Sequence, residues 1–230
     1  MRLKIVILFL LVSGALAAQF IPNKGQWPGQ ILHRAEVAGG VMFFEQDRLT
    51  YNFIHPEDAE KMHGHAARIT EQDSLMRYHA FQMIFKNSNE GCIKESIGAS
   101  DDKYNYFLGS DPKKWASNLS SYQKVKYSNL YQGIDFLFYT SDIGLKYDFV
   151  VHPGAEVSKI RLNYKGAEKV VLENNELKIK LSFSEIIEQI PLAYQYINGR
   201  RVRIFCSYAI EDGDVVFKVG DYDKSKELVI

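Results

Sequence analysis

The chain has 230 residues, with 28 basic and 28 acidic side chains and only two cysteines. The balanced charge lacks the basic footprint of nucleic-acid-binding proteins, so nucleic acid is excluded as a partner. Two cysteines exclude the disulfide framework of small secreted domains.

The N-terminus has the three parts of a secretory signal peptide over residues 1–17: two basic residues, an apolar run at 5–12 and the Ala-Leu-Ala pattern at 15–17. That run is too short to span a bilayer core of roughly 30 Å, and no later stretch approaches about 20 apolar residues. We therefore predict an exported protein, secreted or at the cell surface, with no transmembrane segment in residues 18–230.

The remaining chain is dominated by alternation of apolar and polar residues, which predicts half-buried strands. Asn198-Gly199 and Asp212-Gly213 are strong two-residue hairpin signals. The pattern predicts an all-β fold with little helix, namely an antiparallel β-sandwich or paired sandwiches over residues 18–230. The strand segments are 41–44, 49–53, 79–85, 134–138, 145–151, 177–183, 194–197, 201–208 and 215–219.

Two segments interrupt the alternation. Residues 55–76 form a long polar excursion that we expect to hold one or two helical turns. Asp111 directly precedes Pro112, a pair that predicts a capped short helix. We take 109–121 as a candidate internal boundary of the domain. The strand-like ending at 227–230 suggests the front of a longer protein, or a truncated product of one.

Four histidines, His55, His63, His65 and His79, are the only concentration of that residue and the candidate metal ligands. Neither an HExxH helix nor a defined set of acidic ligands accompanies them. A solvated loop that happens to carry histidines is the alternative.

The acids Asp135 and Asp148 lie on adjacent predicted strands, on the faces opposite Phe136 and Phe149. Such a pair could serve glycoside hydrolysis, which needs two carboxyl groups at a set separation in space. The alternative is a pair of outward acids that keep a sheet soluble.

Trp27 and Trp115 are the candidate ligand-binding residues, because loop aromatics can form a glycan or protein platform. A core-capping role is the alternative. Cys92 and Cys206 could form one bridge, or Cys206 could be a buried thiol, since alternation over 202–208 places it on an apolar face.

His152 precedes Pro153-Gly154, a pair suited to the centre of a type II turn. We interpret it as a structural turn residue, because no base, acid or metal partner for it is evident in the sequence.

Five separated blocks of the sequence together resemble an N-terminal domain of unknown function that heads large exported bacterial proteins. In that family it often precedes β-propeller-type repeats, immunoglobulin-like or polycystic-kidney-disease-type domains and a gliding-motility-associated C-terminal sorting domain. The resemblance implies a type IX secretion setting and supplies no catalytic residues. The blocks are Phe20-Ile-Pro-Asn-Lys-Gly-Gln-Trp-Pro28, Tyr104-Asn-Tyr-Phe-Leu-Gly109 with Trp115-Ala116, Asn129-Leu-Tyr-Gln-Gly-Ile-Asp135, Leu145-Lys-Tyr-Asp-Phe-Val-Val-His-Pro-Gly-Ala155 and Gly220-Asp-Tyr-Asp-Lys-Ser-Lys-Glu-Leu-Val-Ile230.

The function expected from these observations is a non-catalytic module for adhesion, ligand binding or scaffolding, with a glycan or a surface protein as partner and no cofactor. A secreted polysaccharide-active hydrolase and a metal-binding surface domain are the alternatives.

Overall fold

A computed structural model describes residues 19–63, 75–141 and 144–230, and the signal peptide predicted at 1–17 lies outside them. Within these ranges the chain is almost entirely antiparallel β structure, which confirms the predicted fold class. The strands of the first half are β1 (Ile21–Pro22), β2 (His33–Val37), β3 (Gly40–Phe44), β4 (Arg48–Ile54), β5 (Tyr78–Phe85), β6 (Ile93–Tyr106), β7 (Ala116–Tyr131), β8 (Ile134–Ser141) and β9 (Gly144–Val151). Those of the second half are β10 (Leu162–Lys165), β11 (Lys169–Glu173), β12 (Glu176–Lys180), β13 (Glu185–Glu188), β14 (Ala193–Ile197), β15 (Arg200–Ile204), β16 (Cys206–Glu211), β17 (Asp214–Val219) and β18 (Leu228–Val229). Helix α1 (Pro56–His63) and short 3-10 helices at Pro112–Lys114 and Val157–Lys159 are the helical elements of the described chain.

The described strands form three sheets. Sheet I has the order β1-β2-β3-β4-β5-β10-β17-β16, and sheet II has the order β15-β14-β18-β9-β8-β7-β6. Sheet III contains β11, β12 and β13. Because β5 pairs with β10 and β9 with β18, strands distant in sequence are neighbours in both large sheets.

The tight hairpins follow from local sequence. Asn198 and Gly199 have φ values of 51° and 76°, and Asp212 and Gly213 have 52° and 81°. Positive φ at both central residues defines the turn whose twist suits a two-residue hairpin. The predicted hairpins β14–β15 and β16–β17 are therefore confirmed.

Aromatic side chains from the facing sides of sheets I and II pack against each other, in edge and tilted contacts, and make the core. Phe44 of sheet I lies 5.3 Å from Phe138 of sheet II, and Phe85 lies 4.9 Å from Phe136. Such pairs add about 0.5–1.5 kcal/mol each beyond the burial of their area. The inner faces thus bind the sheets into a sandwich and leave the other face of sheet II free of this core.

Sheet III packs against the same core through Leu177 and Ile179, which are fully buried. The alternation predicted over 177–183 continues inward at Leu181 and Phe183, although β12 ends at Lys180.

The candidate boundary at 109–121 falls on the β6–β7 hairpin, whose two arms are neighbours in sheet II. Asp111 caps the 3-10 helix by accepting a hydrogen bond from the Lys113 N–H at 3.0 Å, as predicted. Residues on both sides of the hairpin tip contribute to one core.

The polar excursion begins with α1, which supplies the predicted helical turns before residues 64–74, outside the described ranges. Asp58 of α1 accepts hydrogen bonds from the Arg77 N–H at 2.9 Å and from the Arg77 guanidinium Nε at 2.9 Å. The two ends of the excursion are thereby joined. No helix in the described chain has the length and apolar character needed to span a membrane.

Candidate functional site: an open face of sheet II

On the outer face of sheet II, charged and aromatic side chains alternate from one strand to the next. Tyr139 of β8 pairs directly with Lys124 of β7 on one side and with Lys146 of β9 on the other. The adjacent pair Phe138 and Tyr147 points into the core. Alternation therefore points Lys124, Tyr139 and Lys146 away from the core.

Two further strands extend this face. Tyr194 and Tyr196 of β14 pair with Arg203 and Arg201 of β15, respectively. Val229 of β18 links the halves, because it pairs with Tyr194 on one side and with Val150 of β9 on the other. From β7 to β15 the face spans five inter-strand gaps, or about 24 Å. We call it the tyrosine–cation face and define it by Lys124, Tyr139, Lys146, Asp148, Tyr194, Tyr196, Arg201 and Arg203.

Arg201 organises the two tyrosines of β14. Its guanidinium carbon lies 3.7 Å from the centroid of the Tyr194 ring, in a cation–π stack. The Tyr194 and Tyr196 rings are 5.8 Å apart and nearly perpendicular. Tyr196 is 62% exposed. An exposed ring beside a stacked ring and a fixed cation is an arrangement suited to contact with a ligand.

Asp148 lies between the two halves of the face. Burial raises its pKa above the ordinary value, although a hydrogen bond from the Tyr139 hydroxyl and the charges of Lys146, Arg201 and Lys124 act to lower it. The hydroxyl donates to Asp148 Oδ2 at 3.0 Å. The carboxyl group is therefore held in place and partly shielded from water.

A shallow hollow of about 310 Å³ opens beside the tyrosines of β14. Its lining combines two tyrosine rings, two valines and the Glu227 side chain, whereas the Gln195 amide is buried and hydrogen-bonded to the backbone at Asp223. The lining residues are Val150, Tyr194, Gln195, Tyr196, Glu227 and Val229.

Next to the hollow, His152 lies between two carboxylates. Its Nε2 atom is 3.2 Å from Asp135 Oδ2, and its Nδ1 atom is 3.2 Å from Glu227 Oε1. The interpretation that His152 has no acidic partner is wrong, because strand pairing places Asp135 of β8 and Glu227, the residue before β18, beside it. Its position at the start of a turn is confirmed by the Ala155 N–H, which donates to the His152 carbonyl at 3.0 Å, and by the φ of 80° at Gly154.

Asp135 is also more enclosed than an outward acid should be, with only 7% of its surface exposed. Burial by itself would raise its pKa, but hydrogen bonds from Lys126, from the Asn129 N–H and from His152 hold the pKa below its ordinary value. Lys126 Nζ lies 2.8 Å from Asp135 Oδ2. The solvent-facing role considered for Asp135 is therefore wrong.

Asp135 and Asp148 do share one face of the β8–β9 hairpin. Asp135 pairs with Val150, and Leu137 pairs with Asp148, so the two acids are diagonal neighbours. Diagonal neighbours on a sheet face lie about 7 Å apart. Their pKa values are displaced in opposite directions, a pattern shared by acid–base pairs in enzymes.

The candidate metal ligands do not converge in the described chain. Ser182 N–H donates to His79 Nδ1 at 3.2 Å, and His79 Nε2 lies 2.9 Å from the Gly166 carbonyl, so both ring nitrogens are occupied. The His55 ring packs against Phe183 at 5.0 Å. Within the described ranges no group of three or more His, Cys, Asp or Glu residues could hold a metal ion. His65 and the side chain of His63 lie outside those ranges, where the metal prediction stays a prediction.

The two tryptophans lie near the tip of the β6–β7 hairpin, away from β14 and β15. Trp27 is half-buried, with Tyr106 at 5.0 Å in an edge contact. Trp115 is 44% exposed and meets Phe107 at 5.7 Å. Trp27 thus packs with a small apolar cluster, and Trp115 stays accessible.

Both cysteines are free, buried thiols, so the bridge considered for Cys92 and Cys206 is not formed. Burial raises the pKa of Cys206 to about 12. The run 202–208 is not a single strand, since the chain leaves sheet II after Ile204 and enters sheet I at Cys206. The buried-thiol alternative is confirmed.

One polar cluster was missed by sequence reasoning. The Glu188 carboxylate of sheet III accepts hydrogen bonds from Tyr147 of sheet II at 2.5 Å, and from Tyr164 and Tyr208 of sheet I at 2.8 Å and 3.4 Å. Burial raises the pKa of Glu188 despite these donors. Alternation in β13 puts Glu188 on the same side as the core-packed Ile186, which is the one local sign of an inward acid.

Fold and site together define a sandwich-type β module with an open, polar aromatic sheet face. The chain belongs to the family described as domain of unknown function DUF7948, whose family model matches residues 20–230. No curated protein and no solved structure matches the chain.

Proposed function

We propose that this protein is a non-catalytic binding module of an exported bacterial surface protein, and that it binds glycan on the tyrosine–cation face. The observation that carries the proposal is the exposed ring of Tyr196 beside Tyr194 and the adjoining hollow. Sugars offer apolar C–H faces and hydroxyl groups, and tyrosine combines an apolar ring with a hydrogen-bonding end. Adhesion is the role that such binding would serve.

The proposed setting is supported by the sequence. Residues 1–17 have the pattern of a secretory signal peptide, and the five ordered blocks resemble a domain that heads large exported proteins. We place the protein in the type IX secretion setting on the strength of that resemblance.

The test is a glycan array followed by calorimetric titration of the best ligand. We expect Tyr196→Ala to weaken binding at least about tenfold, the size of effect expected for a central aromatic contact. The matched control is Tyr78→Ala, because Tyr78 is 55% exposed on sheet I. Absence of glycan binding, or equal losses in the two variants, would overturn the proposal.

The second candidate function is a polysaccharide hydrolase that uses Asp148 as general acid and Asp135 as general base. It is favoured by their diagonal placement and by the opposite displacement of their pKa values. Inverting glycosidases place their two carboxyl groups roughly 6.5–9.5 Å apart, which is within reach of the side chains of diagonal neighbours on a sheet face. A reducing-sugar assay tests it. Turnover that Asp148→Asn and Asp135→Asn each abolish would support the hydrolase, and binding without turnover would reject it.

A further inference from the structure

The tyrosine–cation face contains cations that the protein itself leaves unpaired. Lys126, on the same side of sheet II, is 2.8 Å from Asp135, and Arg161, the residue before β10, is 3.0 Å from Asp214. Within the described part of the chain, Lys124, Lys146, Arg201 and Arg203 form no ion pair with a carboxylate.

The Arg201 guanidinium has the position and the free N–H donors needed to bind an oxyanion. The guanidinium carbon lies 3.7 Å from the centroid of the Tyr194 ring, which restrains the side chain, and no protein acceptor in the described ranges takes a hydrogen bond from it. A guanidinium stacked by its face keeps its N–H donors at the edge, in a fork that matches a planar or tetrahedral oxyanion. The side chain has thus already lost much of its conformational freedom before a ligand arrives.

The acids nearby do not cancel these cations. Asp135 is paired with Lys126, which balances its charge. Two carboxyl groups, Asp148 and Glu227, therefore remain against the four cations Lys124, Lys146, Arg201 and Arg203. The outer side of sheet II thus keeps a local excess of positive charge in a chain whose formal net charge is zero.

We propose that the glycan bound on this face is anionic, with its carboxylate or sulfate group held by the Arg201 fork and by Arg203, which lies two residues further along the same face of β15. This inference rests on the proposed function, because the tyrosine rings must supply the sugar contact. The shared chemistry of the ligand is an oxyanion attached to a sugar.

The experiment uses two pairs of polymers that differ in charge. Binding of the protein to polygalacturonate is compared with binding to its methyl-esterified form, and binding to dextran sulfate with binding to dextran, by biolayer interferometry. We expect the charged member of at least one pair to bind and its neutral partner to bind at least about tenfold more weakly. Binding of polygalacturonate alone identifies a carboxylate ligand, binding of dextran sulfate alone identifies a sulfate, and binding of both identifies a general oxyanion site.

Variants then separate a specific fork from diffuse attraction. Arg201→Gln should weaken binding of the polyanion about tenfold or more, and Arg201→Lys should recover only part of the loss, since lysine restores the charge without the fork. The matched control is Arg200→Gln, because Arg200 is on the same edge strand and points to the other face. Equal effects of Arg201→Gln and Arg200→Gln would overturn the inference.

Failure of this inference is distinguishable from failure of the proposed function. If neutral glycans bind in a Tyr196-dependent way and neither polyanion binds better than its neutral partner, the anionic assignment is wrong and glycan binding stands. If no glycan of either kind binds, both are wrong.

Discussion

Replacing Tyr147 by phenylalanine should show what the buried Glu188 cluster contributes to stability. The substitution removes one hydroxyl that donates to Glu188 Oε2 at 2.5 Å and leaves the ring in the core. A hydrogen bond contributes about 1 kcal/mol with a neutral acceptor and about 1.5–3 kcal/mol with a charged one, so we expect Tyr147→Phe to cost about 2 kcal/mol once Glu188 is ionised. For a chain of this size, that loss lowers the melting temperature by roughly 4–8 °C.

The cost should depend on pH in a defined direction. Burial holds the pKa of Glu188 above its ordinary value, so the folded protein binds its proton more tightly than the unfolded chain does. The contribution of Glu188 to stability is therefore greatest at low pH and is lost as pH rises through its folded pKa. Since the lost donor favoured the ionised form, Tyr147→Phe should cost more at pH 7 than at pH 4.

The assay is urea unfolding of the wild type and variants at both pH values, with Tyr127→Phe as the control. The Tyr127 hydroxyl donates to the Glu45 carbonyl at 2.7 Å, a neutral acceptor, so its loss should cost about 1 kcal/mol at either pH. A double-mutant cycle with Glu188→Gln isolates the coupling between the two groups. Equal costs of Tyr147→Phe at pH 4 and pH 7, or no coupling in the cycle, would refute the reasoning.

Three further predictions concern single sites. Burial and, secondarily, the charge of Lys24 lower the pKa of His33 to about 4. The free energy of unfolding should therefore fall as the pH drops from about 6.5 through 4. In acid unfolding curves, His33→Phe should reduce that pH dependence. Gly199→Ala should cost about 1 kcal/mol in urea unfolding, because alanine is disfavoured at a φ of 76° even though the space around the position is open. The control Gly29→Ala, also in open space but without a positive φ, should be nearly neutral. Equal costs of the two substitutions would contradict the argument. Cys206 should react with a thiol reagent only after unfolding, since burial raises its pKa to about 12, and rapid labelling of the native protein at pH 8 would show that the thiol is not enclosed.

Much of the fold was predictable because short-range sequence patterns determine its strands and hairpins. Alternation over 79–85 predicts a strand, and its alternate residues Phe81, Met83 and Phe85 are buried in the core. Asn198-Gly199 determined a hairpin, because positive φ is tolerated there and few alternatives close two strands so tightly. Such signals depend on neighbours along the chain, so a single sequence is sufficient to detect them.

The candidate face depended on contacts that local patterns do not encode. Alternation placed Asp148 on the outer side of β9, but its electrostatic interaction with Arg201 depends on β18, which lies between β9 and β14 and joins them in one sheet. His152 acquired Glu227 as a partner in the same way. Register between strands distant in sequence is decided by packing of the whole sandwich, and a short window of residues carries little information about it.

By itself, the sequence determined an antiparallel β protein with its hairpins, its inward apolar positions and an export-type N-terminal pattern, since each rests on local stereochemistry or composition. The tertiary structure alone decided which polar residues meet. It brought Glu188 into hydrogen bonds with tyrosines of both other sheets, and it stacked Arg201 on Tyr194 within electrostatic range of Asp148. The physical reason is that hydrogen bonds and ion pairs act over a few ångströms, whereas the residues that form them are brought together by strand order across the sheets.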